Sequence, residues 1–208
     1  MIANLDVIAG PMFAGKTSAL IRRVEAAVAE ARRAVVIIKP AMDNRYADQA
    51  IVTHDGVSRA AVPVSSAEQI FHLVADAAER AGELVHLFAD EVQFFEAPYF
   101  AGEFHMVVHA LLLQGHAVTC GGLATDWRGM PFDVSARLMA MADAVEKLTA
   151  RCAVTGAPAQ KTYKKAADSD RVALGSGDTY EPRSNHAWEG QERVVQARPA
   201  AAKAAAAG

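Results

Sequence analysis

The sequence predicts an α/β fold: a parallel sheet flanked by helices, of the doubly wound or P-loop type. An apolar, β-branched run ending at Ala9 leads straight into the glycine-rich segment GPMFAGKT at 10–17. Leu20, Ile21, Val24, Ala27 and Val28 then recur at helical spacing, and the continuous apolar run AVVIIKP at 34–40 is stopped by its proline. Spacing of that kind marks a helix with one buried face, whereas an unbroken apolar run marks a strand covered on both faces. Strand, crossover helix and strand within about forty residues make a βαβ unit, which is right-handed and parallel.

The first strand is expected over Ile2 to Ala9, the first helix over Thr17 to Arg33 and the second strand over Ala34 to Pro40. Asp55-Gly56 is a turn signal within IVTHDGV at 51–57. Ser65 or Ser66 caps a helix running to about Ala81, with Glu68 near the place a capping box uses. LVHLFA at 84–89 reads as a buried strand ending in Asp90-Glu91. A third helix is expected over Ala97 to Gln114, a strand over His116 to Leu123, a helix over Val134 to Ala142 and a closing strand over Ala144 to Ala150. This alternation makes residues 1–151 one nucleotide-binding domain. Beyond Cys152 periodicity fades and Gly156, Pro158, Gly175, Gly177, Pro182 and Asn185 accumulate, so 152–190 is read as a small loop-rich domain. The alanine-rich stretch within 191–208 has little bulky apolar surface to bury and is expected to fray.

Composition narrows the class further. A chain of 208 residues, 52% hydrophobic and 22% charged, can bury a core without disulfide staples. Twenty-one basic against 24 acidic residues leave a net charge of −3, which disfavours nucleic acid as a partner. Two cysteines, Cys120 and Cys152, exclude a disulfide framework and fit a reducing compartment. No apolar run reaches the roughly 20 residues of a membrane span. The start of the chain, with Asp6 and no basic residue, reads unlike a signal peptide. A cytoplasmic protein with no membrane partner is expected.

The segment Gly10, Pro11, Met12, Phe13, Ala14, Gly15, Lys16, Thr17 satisfies G-x-x-x-x-G-K-[ST] between an expected strand and an expected helix. Glycines let backbone amides converge, and those amides with the helix N-terminus attract phosphate oxygens. Lys16 would reach the terminal phosphates of ATP and Thr17 would offer its hydroxyl to Mg²⁺. Asp90, at the end of a buried strand, would hold the metal, and Glu91 could accept a proton. Spacing leaves the acceptor open: water would make an ATPase, a substrate hydroxyl a kinase.

Beside the phosphate loop stand Lys39-Pro40, Asp43-Asn44-Arg45-Tyr46, Thr53-His54-Asp55-Gly56, Asp90-Glu91-Val92-Gln93-Phe94 and Gly122-Leu123. They are followed by Asp126 to Phe132 and Val145 to Ala150. In that order they resemble the class II thymidine kinases, over about residues 5 to 180. The resemblance implies a RecA-like P-loop domain closed by a C-terminal lasso, and transfer of the ATP γ-phosphate to the 5′-hydroxyl of thymidine. It implies Glu91 as the base, Lys16 and Arg45 as catalytic cations, and Thr17 with Asp90 as Mg²⁺ ligands. Asp43, Asp90, Glu91, Val92 and Gln93 join residues 10–17 around ATP. Met12, Leu123, Trp127, Phe132, Thr162, Val172 and Tyr180 match the nucleoside pocket. Feedback inhibition by dTTP and assembly into a homo-oligomer, a tetramer, come with the family.

Two departures stand out. Trp127 occupies a place where the family usually has phenylalanine, which leaves open a kinase of another (deoxy)nucleoside. The family's structural zinc needs four ligands, but the first pair here reads Cys152 to Thr155 and the second Ser184 to Ala187, with His186 one place off. One or two ligands cannot close a tetrahedral site. No structural zinc is expected, and the lasso is expected to be held by packing, with Trp188 a candidate. The eroded site also suggests a third reading, a catalytically retired nucleotide-binding protein.

Overall fold

The computed structural model describes residues 3–42, 49–52, 56–165 and 179–188. Asp43, Arg45, His54 and Val172, named above, lie outside the described residues. In chain order, β1 (Leu5–Ala9) runs through the phosphate loop into α1 (Lys16–Glu30), and β2 (Ala34–Pro40) follows. β3 (Ala50–Val52) and β4 (Ser58–Ala60) pair antiparallel. Then come β5 (Val62–Val64), α2 (Ala67–Ala81), β6 (Val85–Ala89), a 3₁₀ turn at Val92–Phe94, α3 (Phe104–Leu113), β7 (Ala117–Gly122), α4 (Asp133–Met141) and β8 (Ala144–Lys147). The remaining strands are short: β9 (Ala150–Arg151), β10 (Pro158–Ala159), β11 (Lys161–Lys164) and β12 (Tyr180–Arg183).

Six strands form the central sheet in the order β5-β2-β6-β7-β1-β8, and every neighbouring pair is parallel. Alternate side chains of one strand point to opposite faces, so each central strand feeds two cores. Val7 and Leu87 pack with Ile70, Val74, Val108, Leu111 and Leu138 of α2, α3 and α4. Their neighbours Ile8 and Phe88 pack on the other face with Leu20, Ile21 and Val24 of α1. Helix α1 is thus buried at Leu20, Ile21 and Val24 of the expected stripe, with Ala27 half-buried, whereas Val28, expected on the same face, lies 59% exposed. The sheet is covered on both sides. That burial explains why β2, β6 and β7 are largely apolar, with Lys39, His86 and Thr119 as their polar exceptions.

Several boundaries differ from expectation for local reasons. The expected helix over Ala97 to Gln114 begins only at Phe104, because the chain first turns through Pro98 and Tyr99 and pairs Ala101 with Ser66. Gly102, at φ 101°, is non-helical just ahead of Phe104, so the helix cannot run back through it. The segment Val62–Val64, with Pro63 in it, joins β2 as an edge strand; an edge tolerates proline because one side of its ladder is unpaired. The expected strand over Ala144 to Ala150 is split. β8 stops at Lys147, and Ala150 turns away to pair antiparallel with Ala159. Helix α1 ends at Glu30, with Ala31 in the left-handed region at φ 48°. The cap of α2 is Ser66, whose hydroxyl accepts from the Gln69 amide at 3.3 Å; the Gln69 side chain in turn accepts from the Ser65 amide at 2.8 Å.

Two histidines lie near the start of the strands on the edge opposite the phosphate loop. His116 Nδ1 accepts the Val85 amide at 3.0 Å, which requires that nitrogen to be unprotonated. His86 stacks on Phe88 with ring centroids 4.1 Å apart and shares a 2.9 Å hydrogen bond with Thr119 Oγ1. Burial, together with Arg33 and Arg23, pulls His86 down to about 4, against the opposing pull of Asp6. Burial and Arg33 lower His116 too. Above about pH 6.5 both are neutral folded or unfolded, so they contribute nothing to the pH dependence. As pH falls below 6.5 the unfolded chain takes up protons that the folded chain refuses, so stability falls and levels off near pH 4 for His86. At about 1.4 kcal/mol per unit, His86 can account for at most about 3 kcal/mol. Thermal melts of the wild-type chain and His86→Gln from about pH 7.5 to 4 isolate this contribution from those of other titrating groups. The wild type should lose stability relative to the variant as pH falls, and a difference that does not change with pH contradicts the assignment.

Candidate active site

Parallel pairing brings the C-terminal ends of β6, β7 and β1 to one edge, and each end continues into a segment with chemistry in it. After β1 the chain makes the glycine loop. Gly10 is required there by its neighbour rather than by a phosphate, since a Cβ would lie 2.7 Å from the Leu148 carbonyl oxygen beyond β8. Gly15 meets nothing but adopts φ 77°, which side chains rarely tolerate. Phe13 is also left-handed, at φ 65°. Such alternation turns successive amides toward one concavity, a geometry suited to anions. Lys16 is 9% exposed, and its ammonium donates to the Pro11 carbonyl at 2.7 Å, across the mouth of its own loop.

After β6 come Asp90 and Glu91. Thr17 donates its hydroxyl to Asp90 Oδ2 at 2.9 Å, a contact spanning 73 positions of chain. Oδ1 accepts the Glu91 amide at 3.0 Å. β7 lies between β6 and β1, and adjacent strands are about 4.8 Å apart, so Asp90 and Thr17 meet across an intervening strand. Glycine makes room for this: a Cβ on Gly121 would sit 3.3 Å from Asp90 Oδ1. Burial first, and the neighbouring Glu91 second, push the Asp90 carboxyl up to about 7, against the pull of the Thr17 hydroxyl, the Glu91 amide and Lys16. A buried carboxylate beside another is a place that favours an added cation. Thr17 and Asp90 are the pair that could hold one, and a small ion such as Mg²⁺ keeps waters and phosphate oxygens for its remaining positions.

Glu91 is left-handed at φ 52°, an uncommon conformation for a side-chain-bearing residue and one that clusters at functional sites. Gln93 Nε2 donates to Glu91 Oε2, and Gln93 Oε1 accepts the Leu123 amide at 2.9 Å. One buried amide side chain therefore joins the ends of β6 and β7. Gly122 yields it the space, since a Cβ there would come within 2.8 Å of Gln93 Oε1.

After β7 the loop 124–132 closes on Asp126, whose carboxylate accepts the Arg128 and Met130 amides at 2.9 and 3.0 Å. Trp127 is 9% exposed and Phe132 is buried. Opposite, the β11/β12 hairpin turns Thr162 and Lys164 inward, the period of two expected of a strand. Thr162 Oγ1 accepts the Met12 amide of the phosphate loop at 3.0 Å. Lys164 is fully buried, its ammonium 5.8 Å from the Trp127 ring centroid and 6.0 Å from that of Tyr180. Leu123, Trp127, Thr162 and Tyr180 are thus tied to the same edge of the sheet as the phosphate loop. Lys164 and Asp126 were not expected from sequence. Alternation along KTYK, placing residue 164 on the same side as Thr162, is the signal that could have found the lysine.

The four positions expected to be short of zinc ligands form a small apolar and hydrogen-bonded corner. Cys152, Ala150 and Ala159 are buried together, with Ala187, Phe13 and Ala14 packed against them. Ser184 Oγ accepts the Ala187 amide at 3.3 Å. A hydrogen bond from Thr155, aided by backbone amides and opposed by burial, lowers the Cys152 thiol to about 6. His186 is exposed. Among the described residues no group of three His, Cys, Asp or Glu side chains stands where it could hold a metal ion. No helix among them is long and apolar enough to cross a membrane.

Among solved structures the chain is similar to C. elegans PCH-2, at 13% identity over 70% of this chain and 35% of that one, with a TM-score of 0.45. It is also similar to domain III of the Thermotoga maritima replication initiation protein DnaA, at 18% identity, 70% and 55% coverage and a TM-score of 0.39. The chain spans 35% and 55% of the lengths of these two structures. The sequence pattern of the family described as thymidine kinase matches residues 3–188. That span takes in the phosphate loop, Asp90 to Gln93, the 124–132 loop and the β11/β12 hairpin, and the chain belongs to the thymidine kinase family.

Proposed function

We propose that this protein is an ATP-dependent thymidine kinase that transfers the γ-phosphoryl group to the thymidine 5′-hydroxyl, giving dTMP for nucleotide salvage. The observation that carries this reading is the hydrogen bond between Thr17 and Asp90. It unites the phosphate loop with the Asp90-Glu91 pair, so a triphosphate held by one lies against the other.

In this reading the amides of residues 10–17 and the N-terminus of α1 cradle the ATP phosphates. Lys16 swings from the Pro11 carbonyl to the terminal phosphates, exchanging a neutral acceptor for a charged one. Thr17 and Asp90 would hold Mg²⁺, which when bound neutralises charge on the phosphate oxygens. Glu91, oriented by Gln93, takes the proton of the 5′-hydroxyl. The new bond forms between the 5′-oxygen and the γ-phosphorus, the bond to the β–γ bridging oxygen breaks, and ADP leaves. Met12, Leu123, Trp127, Phe132, Thr162 and Tyr180 would enclose the nucleoside. Asp43, Arg45 and Val172 are carried into the same roles by family resemblance alone, as are dTTP as feedback inhibitor and a homotetrameric assembly. A base, a cation and a positioned acceptor suffice, because phosphoryl transfer depends on alignment and charge neutralisation.

Trp127 with Lys164 beside it favours one second reading, a kinase that prefers a different deoxynucleoside. A retired binding protein has no use for Lys16, Asp90 and Glu91 together. Transfer from labelled ATP to a panel of nucleosides tests all three: thymidine is expected to be the best acceptor, and the absence of any phosphorylated nucleoside overturns the kinase assignment.

Glu91→Gln should lower kcat by about 10²–10⁴-fold with ATP binding retained, as for loss of a positioned base. A near-normal rate in that variant means the base lies elsewhere. Lys16→Ala should cost about 10²–10³-fold in kcat, the scale of one lost charge-stabilising donor. The packing of Cys152, Ala159 and Ala187 supports a C-terminal segment that holds without structural zinc. Metal analysis of tag-free protein is then expected to find well under one zinc per chain, and a stoichiometric ion contradicts this.

A further inference from the structure

We propose that Trp188 is the positioning residue that holds the 124–132 loop over the acceptor side of the site, and that it sets the affinity for the acceptor nucleoside rather than for ATP. This rests on the kinase reading above. Trp188 is 8% exposed, and its indole N–H donates to the Trp127 carbonyl at 3.3 Å across 61 positions of chain. The ring edge lies on Gly129, where a Cβ would come within 2.7 Å of Cη2 and 3.2 Å of Cζ2. Gly129 therefore serves twice: its φ of 79° makes the turn, and its bare Cα makes the seat for the indole. On the ring face, the Lys161 ammonium lies 4.9 Å from the centroid.

Trp188 is itself anchored. The turn before it is closed by Ala187 N–H on the Ser184 carbonyl at 3.1 Å, and Arg183 Nη1 donates to the Ala187 carbonyl at 3.2 Å. The Arg183 guanidinium stacks 3.6 Å from the Tyr163 ring centroid and pairs with Glu181 at 2.7 Å, fixing the turn to the β11/β12 hairpin. That hairpin grips the phosphate loop through Thr162 and Met12. The 124–132 loop, in turn, follows Leu123, whose amide is held by Gln93 and so by Glu91. Trp188 completes a ring of contacts: phosphate loop, Asp90, Glu91, Gln93, Leu123, Trp127, Trp188, the hairpin, and back to the phosphate loop. The internal bonds of the loop to Asp126 make it move as a unit, so one contact at Trp127 and Gly129 places all of it.

Trp188→Ala, Trp188→Phe and Gly129→Ala in the full chain test this. Loss of the indole should raise the nucleoside KM about tenfold or more while the ATP KM and kcat stay within about threefold, the pattern of lost ground-state placement on one substrate only. Trp188→Phe, which keeps a ring but no donor, should fall between. Gly129→Ala should act like Trp188→Ala, and the double variant should be little worse than either single variant, less than the sum of the two effects. Hydrogen exchange without substrates gives a second readout: amides in 124–132 should exchange faster in Trp188→Ala, with β1 and α1 unchanged. An unchanged nucleoside KM, equal rises in both KM values, or unaltered exchange in 124–132 overturns the proposal. If the wild-type chain phosphorylates no nucleoside, the kinase reading fails separately, and the exchange result still decides whether Trp188 positions the loop.

Discussion

The structure depends on one geometric constraint: strands β6, β7 and β1 run parallel side by side, so their C-terminal ends share an edge. Each end delivers a different chemical part, a carboxylate pair, a loop bearing aromatic rings and a phosphate cradle. Gly121 at the end of β7 leaves room for Asp90 where it reaches Thr17 across the middle strand, and Gly122 leaves room for Val92 and Gln93. A side chain at Gly122 would collide with Val92 and Gln93, and one at Gly121 would crowd Asp90. Burial of Val7, Leu87 and Val118 on one face and Ile8 and Phe88 on the other keeps those strands in register.

Energy that the core supplies is spent locally at this edge. Glu91 and Phe13 adopt left-handed backbone, and Asp90 is buried next to another carboxylate. Each is unfavourable by itself, and each is held by contacts: Gln93 on Glu91, the corner of Ala150, Cys152 and Ala159 on Phe13, and Thr17 with the Glu91 amide on Asp90.

Beyond the sheet, order is maintained by single contacts over long stretches of chain rather than by a large core. The corner of Cys152, Ala159 and Ala187 is small, and it packs directly on Phe13 and Ala14 of the phosphate loop. Among the described residues, hydrogen bonds from Met12 to Thr162 and from Trp188 to Trp127 and the approach of Lys164 to the Trp127 ring add to this fastening. The hairpin is consequently linked to both the ATP side and the loop side of the edge, so a ligand that moves one has a physical route to the other.

The sequence by itself determined what depends on neighbours along the chain. The glycine loop, most of the amphipathic stripe of α1, the proline-stopped β2 and a serine cap on α2 follow from spacing and from turn chemistry, which act within a few residues, whereas the choice of Ser66 over Ser65 came with the fold. The start of α3 and the end of β8 did not follow, because the positive-φ turn at Gly102 and the turn to β9 outweigh an apolar pattern that runs past them. Tertiary structure alone decided why Gly10, Gly122 and Gly129 must be glycine, since the atoms they avoid belong to Leu148, Val92 with Gln93, and Trp188. It also decided that Lys164 lies buried between Trp127 and Tyr180. A packed interior sets such requirements through atoms remote in the chain, and a one-dimensional pattern carries no measure of which remote atoms will meet.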